Sequence, residues 1–290
     1  MIIKNICNHR EKIGPNIKTF CHMNIRKLKT IKQECYEHVL KLYKDANAGH
    51  ISASLSCLDI LVYLYFYLMN KEDRFILSKG HAALGLYVVL AKSGLIDEKL
   101  LDTFYKNGTL LAAHPPCNGK IESIPFGTGS LGHGLSLAAG FAFSNRFTEK
   151  KNKVFCLLSD GDCNEGSTWE AALFASQHKL KNLYVVIDFN QLQGFGRSDE
   201  VLSLKPIEDK WRSFNFDVSV ASNGNDLNSI NSSFEALKSF DSDKPKCIIA
   251  QTIKGSGVSF MEDKLEWHYL PMSDDQYLQA IEEVKKRHNA

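Results

Sequence analysis

Asp160 and Asn190 are the residues of this 290-residue chain whose types and placement first suggest chemistry. Each ends an apolar run: Val154 to Leu158 leads into Ser159-Asp160-Gly161, and Leu183 to Ile187 leads into Asp188-Phe189-Asn190. Ligands of open α/β sheets sit at the carboxyl ends of strands, so an acid and an amide oxygen would stand side by side there. With a backbone carbonyl nearby they suit Mg²⁺, which prefers about six oxygens and shares them readily with a phosphate-bearing ligand. Gly161 lets the backbone turn sharply and approach a diphosphate closely. The plainer reading makes Asp160 a turn or helix-capping residue, as Asp-Gly after a strand often is. The Asn at the following strand end favours the metal reading.

Ten histidines offer a second kind of chemistry. His50, His81 and His114 each follow a small residue at a loop or helix start, where a side chain can project into a cleft. Neutral imidazoles donate, accept and shuttle protons near pH 7; the plainer reading is partly buried structure. His9, His22, His38, His178 and His288 lie in an N-terminal extension or on helix faces and are expected to be solvated. His133 sits in a glycine-rich turn and reads as structural.

The elements that must position these groups follow from periodicity. Helical spacing runs from Asn24 to Lys44, through Ile25, Leu28, Ile31, Cys35, Val39 and Leu42. Leu55 to Met69 reads as a buried helix, Arg74 to Ser78 as a strand, and Ala82 to Lys92 as another helix. Leu111 to Thr128 is a long Pro- and Gly-rich loop, a kind that is often functional. Helices are expected at Ser167–Lys179 and Leu227–Phe240, and further strands at Asp217–Val220 and Cys247–Ile253. Continuous apolar strands alternating with helices imply right-handed βαβ units and a parallel sheet buried on both faces. One α/β domain, a parallel sheet flanked by helices, is the simplest account.

The totals add bounds. Net charge is +2, so nothing global draws the chain to nucleic acid or an anionic membrane. Eight cysteines without a Cys-x-x-Cys pair, and no signal peptide, suggest reduced thiols and a cytoplasmic protein. The longest apolar run, Ile60 to Met69, is too short to cross a bilayer, which takes about 20 residues. Residues 1–22 lack an apolar period and read as a disordered extension or an over-long start before Met23. A transit peptide is the weaker reading, given Glu11 and little Ser or Arg. The domain then runs from 23 to 290.

Ser159-Asp-Gly-Asp-Cys-Asn-Glu165-Gly166 through Asn190 resembles the thiamine diphosphate motif, Gly-Asp-Gly followed by a later Asn. Ala48-Gly-His50, Leu77-Ser-Lys-Gly-His81, Ala113-His114-Pro115, Gly127-Thr-Gly-Ser-Leu-Gly-His-Gly134 and Lys254-Gly-Ser-Gly-Val258 with Trp267-His268 resemble the transketolase family, in its order. The resemblance covers nearly the whole chain. It implies the thiamine-diphosphate-binding fold, with Asp160, Asn190 and the Leu192 carbonyl on Mg²⁺ and the Gly161 N–H on the diphosphate. It puts Gly129, Ser130 and Leu131 at the aminopyrimidine, and His81 and His268 at the cofactor. His50, His114 and His268 would reach the hydroxyls of a donor sugar. It also aims Glu165 at a partner domain, while Lys254 is either near the diphosphate or a solvated turn lysine.

The chain departs from that pattern at Ser159 for Gly, Ile51-Ser52 for Pro-Gly, Ser130 for Pro and Tyr269 for Gly. Tyr269 would crowd the cofactor mouth beside His268. The family's catalytic Glu, aromatic pyrimidine pocket and phosphate-gripping residues lie in a second domain. The chain therefore resembles the N-terminal subunit of a split transketolase, transferring a two-carbon ketol unit from a ketose to an aldose. A second copy of itself, with two copies of a C-terminal partner subunit, would complete an α2β2 heterotetramer. The helix from Leu55 to Met69 and the segment carrying Leu135, Leu137, Phe141 and Phe143 are the expected partner-facing apolar surfaces. Two alternatives stay open: the α subunit of a 2-oxo acid dehydrogenase or decarboxylase, and a non-catalytic binding protein that kept the fold.

Overall fold

The computed structural model describes residues 25–117, 119–148 and 150–289. The extension at 1–22, with His9 and His22, lies outside the described residues. Helix α1 (Ile25–Ala46) forms because Leu28, Cys35, Val39 and Leu42 recur on one face, and each is nearly inaccessible. Helix α2 (Ile51–Tyr63) is buried at every position and runs on into a π-helical turn, Leu64–Leu68. Strand β1 (Arg74–Leu77) and α3 (Ala83–Lys92) follow, then the long loop and α4 (Gly134–Ser144). Strand β2 (Val154–Ser159), α5 (Gly166–Gln177) and β3 (Leu183–Phe189) make the central βαβ unit. The short helices α6 (Ser198–Leu202) and α7 (Ile207–Ser213) precede β4 (Asp217–Ala221), α8 (Leu227–Lys238), β5 (Lys246–Gln251) and α9 (Asp274–Asn289).

The five strands pair in the order β1-β2-β3-β5-β4, all parallel. Alternate side chains go to opposite faces, as the pleat requires. Cys156, Leu158, Val185 and Ile249 meet Leu135, Ala172 and Trp211 from α4, α5 and α7. Phe155, Leu157 and Ile248 meet Leu40, Leu58, Phe234 and Val284 from α1, α2, α8 and α9. The parallel sheet flanked by helices is thus the architecture expected from the apolar runs.

Two expectations about surfaces change. Ile51–Leu68 is long and apolar enough to cross a membrane by length and composition, but it is 83% buried inside this chain. It leaves little of the partner-facing surface expected of Leu55 to Met69, because its own sheet and helices cover all of it but parts of Tyr65, Tyr67 and Leu68. Leu135 is likewise interior, whereas Phe141 and Phe143 are only partly covered; Phe141 meets Phe126 in a tilted pair, and Phe143 meets Phe147 and Phe174 edge-on, at 5.3–5.4 Å. His178 is half-buried between Phe143 and Phe174, and His38 is half-buried near Glu98, so neither is the solvated group expected. His133 heads α4 and is exposed.

Candidate active site

The carboxyl ends of β1, β2, β3 and β5 converge on one cleft of about 230 Å³. Its floor is an ion pair. Asp188, at the end of β3, is fully buried and accepts hydrogen bonds from Ser56 Oγ (2.7 Å), Thr252 Oγ1 and Lys79 Nζ. Lys79 is 1% exposed and also donates to the Ala53 carbonyl at 3.2 Å. Burial alone would lower the lysine's pKa, but Asp188 outweighs it and holds Lys79 above its ordinary value. A second buried acid, Asp162, ties the ends of β1 and β2 to the glycine-rich loop. It accepts from Ser78 Oγ at 2.5 Å, from Gly132 N–H at 2.8 Å, and from Ser159 N–H at 2.8 Å.

Asp160 and Asn190 stand above this floor, both buried. Asp160 accepts from Ser198 Oγ and from Gly161 N–H at 2.9 Å. The Gly161 donor expected on a diphosphate is therefore engaged by its neighbour here. Burial pushes the Asp160 carboxyl up, with Asp188 adding to it, while Ser198 and Gly161 N–H oppose the shift. Asn190 donates to Ser56 Oγ at 3.0 Å, and its Oδ1 accepts from Leu192 N–H at 3.0 Å. The Leu192 carbonyl accepts from Lys254 Nζ at 2.6 Å, so an ammonium already stands at that oxygen. Asp160, Asn190 and the Leu192 carbonyl all line the cleft and offer oxygen alone, a set that fits a hard divalent cation.

Four histidines from distant segments ring the opening. The His50 ring lies 6.0 Å from His81, 6.1 Å from His114 and 5.0 Å from His268, centroid to centroid. His50 has φ 71°, a left-handed conformation that is costly for a residue with a side chain and is tolerated where surroundings over-determine it. Its N–H donates to the His268 carbonyl at 3.0 Å, and its own carbonyl caps the start of α2. Ile51-Ser52 reinforces this: Ser52 Oγ donates to the Trp267 carbonyl at 3.0 Å. Burial lowers the pKa of all four rings, aided at His81 by Lys79 and at His50 by His114. His268 falls to about 3, through burial first and then Lys254. The cluster is therefore neutral near pH 7, able to donate and accept.

Glycine is needed where backbone meets these rings. A Cβ on Gly129 would come 3.1 Å from the His114 ring. One on Gly194 would lie 2.8 Å from Tyr269 Oη and 3.2 Å from His268 Nε2. Tyr269 donates its hydroxyl to the Gly194 carbonyl at 2.8 Å, so the ring that departs from the family pattern bridges the mouth. Leu131 and Lys254 line the cleft as expected. Ser130 and Glu165 do not; both are exposed outside the lining, and Glu165 makes no capping hydrogen bond at the start of α5.

Residues 33–288 match the family described as transketolase, thiamine diphosphate binding domain. The chain belongs to the transketolase family. It is 36% identical over 274 residues to an apulose-4-phosphate transketolase subunit of Phocaeicola vulgatus, covering 91% of this chain and 96% of that one. It is 37% identical to 6-deoxy-6-sulfo-D-fructose transketolase subunit SqwG of a Clostridium species, covering 82% and 89%. The crystal structure of Campylobacter jejuni transketolase superposes with TM-score 0.80 at 28% identity, and the match covers 91% of this chain and 43% of that longer one.

Lys79, Asp188, Asp162 and Gly194 were not singled out from the sequence. Lys79 and Asp188 lie inside the quoted motifs, and each ends an apolar run, the signal that a charge there must be buried and paired.

Proposed function

We infer that this chain is the N-terminal, thiamine-diphosphate-binding subunit of a two-chain transketolase that moves a two-carbon ketol unit from a ketose to an aldose. The observation that carries the reading is four neutral histidines over an Asp160–Asn190–Leu192 oxygen set at the sheet's carboxyl edge. Bound thiamine diphosphate supplies the carbanion chemistry that cleaves and forms the bond beside a ketone. Asp160, Asn190 Oδ1 and the Leu192 carbonyl would hold Mg²⁺, with Lys254 nearby for the diphosphate. Gly129 and Leu131 would border the ring system, with Ser130 beside them. His50, His114 and His268 orient the donor's hydroxyls and move protons at its oxygens, and His81 contacts the cofactor. Catalysis here is positioning plus proton transfer, which contributes about 10²–10⁴-fold in typical sites.

The relatives named as transketolase subunits, matched along almost their whole length, support a C-terminal partner chain. The sugars in their names support a ketose phosphate or sulfonated ketose as donor. An α2β2 assembly and a cytoplasmic location belong to the same proposal; the cysteines of the described residues are free thiols, in keeping with a reducing compartment. Neither alternative, the 2-oxo acid dehydrogenase subunit or the non-catalytic binder, has a specific observation in its favour.

The test is calorimetric titration of thiamine diphosphate with Mg²⁺ into this chain alone and into its complex with the product of the adjacent gene. Saturable binding by the complex only, followed by ketol transfer from a ketose phosphate, supports the reading. Saturable binding by the single chain would overturn the need for a partner, and binding by neither would favour the non-catalytic protein.

A further inference from the structure

We propose that Asp162 is a positioning residue: it latches the glycine-rich loop at Gly132 and so sets where Gly129 and Leu131 wall the cleft. Asp162 is fully buried in the turn after β2 and is not among the residues lining the cleft, so it can act only through others. Its Oδ1 accepts from Gly132 N–H at 2.8 Å, and its Oδ2 accepts from Ser159 N–H at 2.8 Å. Both donors are backbone amides, which have no other role to take, so the direction of each bond is fixed. One side chain therefore ties the loop to the end of β2, with one oxygen for each. Ser78, just beyond β1, places its hydroxyl on the same Oδ1.

The latch holds one end of a short span. Gly132 has φ 81°, and a Cβ there would run into that of Glu165, so only glycine passes this point at little cost. Its carbonyl accepts from Ser167 Oγ at 3.0 Å, at the start of α5. At the other end, Thr128 Oγ1 donates to the Leu77 carbonyl at 2.6 Å, at the tip of β1. Gly129, Ser130 and Leu131 alone lie between these anchors. A Cβ on Gly129 would meet the His114 ring at 3.1 Å, and one on Gly161 would meet Leu131 Cδ1 at 3.1 Å. A shift of Gly132 would thus move the wall against both His114 and Gly161. Asp160, Asn190 and the Leu192 carbonyl are held by other contacts, from Ser198, Ser56 and Lys254.

The consequence rests on the thiamine diphosphate reading of the cleft: loosening the loop should weaken the grip on the ring system and spare the diphosphate end. The first arm needs no cofactor or partner, so its failure is separable from failure of that reading. It is amide hydrogen exchange on the full chain. Gly132 N–H should be protected in the native chain and exchange faster in Asp162→Ala, while the amides of β3 and β5 stay protected. The second arm is calorimetry on the assembled complex with Mg²⁺, comparing thiamine diphosphate with inorganic diphosphate. Asp162→Ala should weaken the first about tenfold or more and leave the second unchanged. A merely structural acid would weaken both alike or neither, and that result would overturn the proposal. So would exchange at Gly132 that is unprotected in the native chain or unchanged in the variant. A native complex that binds neither ligand would sink the thiamine diphosphate reading, while exchange still decides whether Asp162 holds the loop. If the alanine variant does not fold, native protection of Gly132 and Ser167→Ala, which frees the same glycine at its carbonyl, decide the matter by the same selective loss.

Discussion

The floor and the rim of the cleft are built on opposite principles. On the floor every charge is buried and matched: Asp188 takes four donors, Lys79 gives two hydrogen bonds, and Asp162 joins three segments. On the rim, Phe195 is 87% and Tyr269 56% exposed, and Glu165 and Ser130 face solvent. A floor of that kind is rigid because removing one partner strands another without water. A rim of that kind costs the isolated chain little to change. On the proposed reading the floor would be the diphosphate and metal end, and the rim is what a second chain would cover.

The contrast can be broken most severely at the metal donors. Asp160→Ala should abolish Mg²⁺-dependent binding of thiamine diphosphate by the assembled complex, measured by calorimetry; unchanged affinity would remove Asp160 from the site. On the floor itself, Lys79→Met leaves Asp188 buried without its cation and should cost about 3–5 kcal/mol of stability in denaturant unfolding. A loss below about 1 kcal/mol would mean that solvent reaches the pair, since exposed ion pairs are worth no more than that. One level up, His114→Ala should slow turnover by about 10²–10⁴-fold with nearly unchanged cofactor affinity. Collapse of the fold would instead make His114 structural.

Acid tests the same boundary. The folded chain holds His50, His81, His114 and His268 below the ordinary 6.5, with His268 at about 3, while the unfolded chain protonates normally. The unfolded state therefore binds more protons below about 6.5, and stability is complete above that pH and falls as pH drops toward 3. The urea midpoint should be lower at about pH 5 than at about pH 7.5, and less so in His268→Gln. Identical shifts in both chains would acquit His268. The smallest effect belongs to the rim: Glu165→Gln should move stability by under about 0.5 kcal/mol, yet weaken association with the partner chain. A large loss of stability would make Glu165 a capping residue instead.

Much of the sheet was legible. Val154–Leu158 and Leu183–Ile187 are continuous apolar runs, and a strand buried on both faces leaves no other reading once helices flank it. Helix α4 was missed because GLSLAAGFAFS has no polar face to give it a period, and glycine within it lowers its propensity. Helix α9 was missed although Tyr277, Ala280, Ile281 and Val284 repeat at helical spacing and pack inward. Of the candidate site residues, His50, His81, His114, Gly129, Leu131, Asp160, Gly161, Asn190, Leu192, Lys254 and His268 line the cleft. Ser130, expected to act through its backbone, and Glu165, expected to reach a partner domain, have exposed side chains outside the lining.

Local pattern by itself determined that β2 and β3 end in Asp160 and Asn190, side by side. Adjacent parallel strands joined by one helix must bring their carboxyl ends together, and Ser159 does pair with Asp188. Only the tertiary structure decided that Lys79 meets Asp188 and that His50, His81, His114 and His268 share one opening. It also decided that Lys254 stands behind His268. These contacts join segments from the start of α2 to beyond β5, and periodicity reports which side of an element is buried, not which distant element covers it. The partners of a buried charge are chosen by the packing of the whole sheet, because an unpaired one could not be carried there at all.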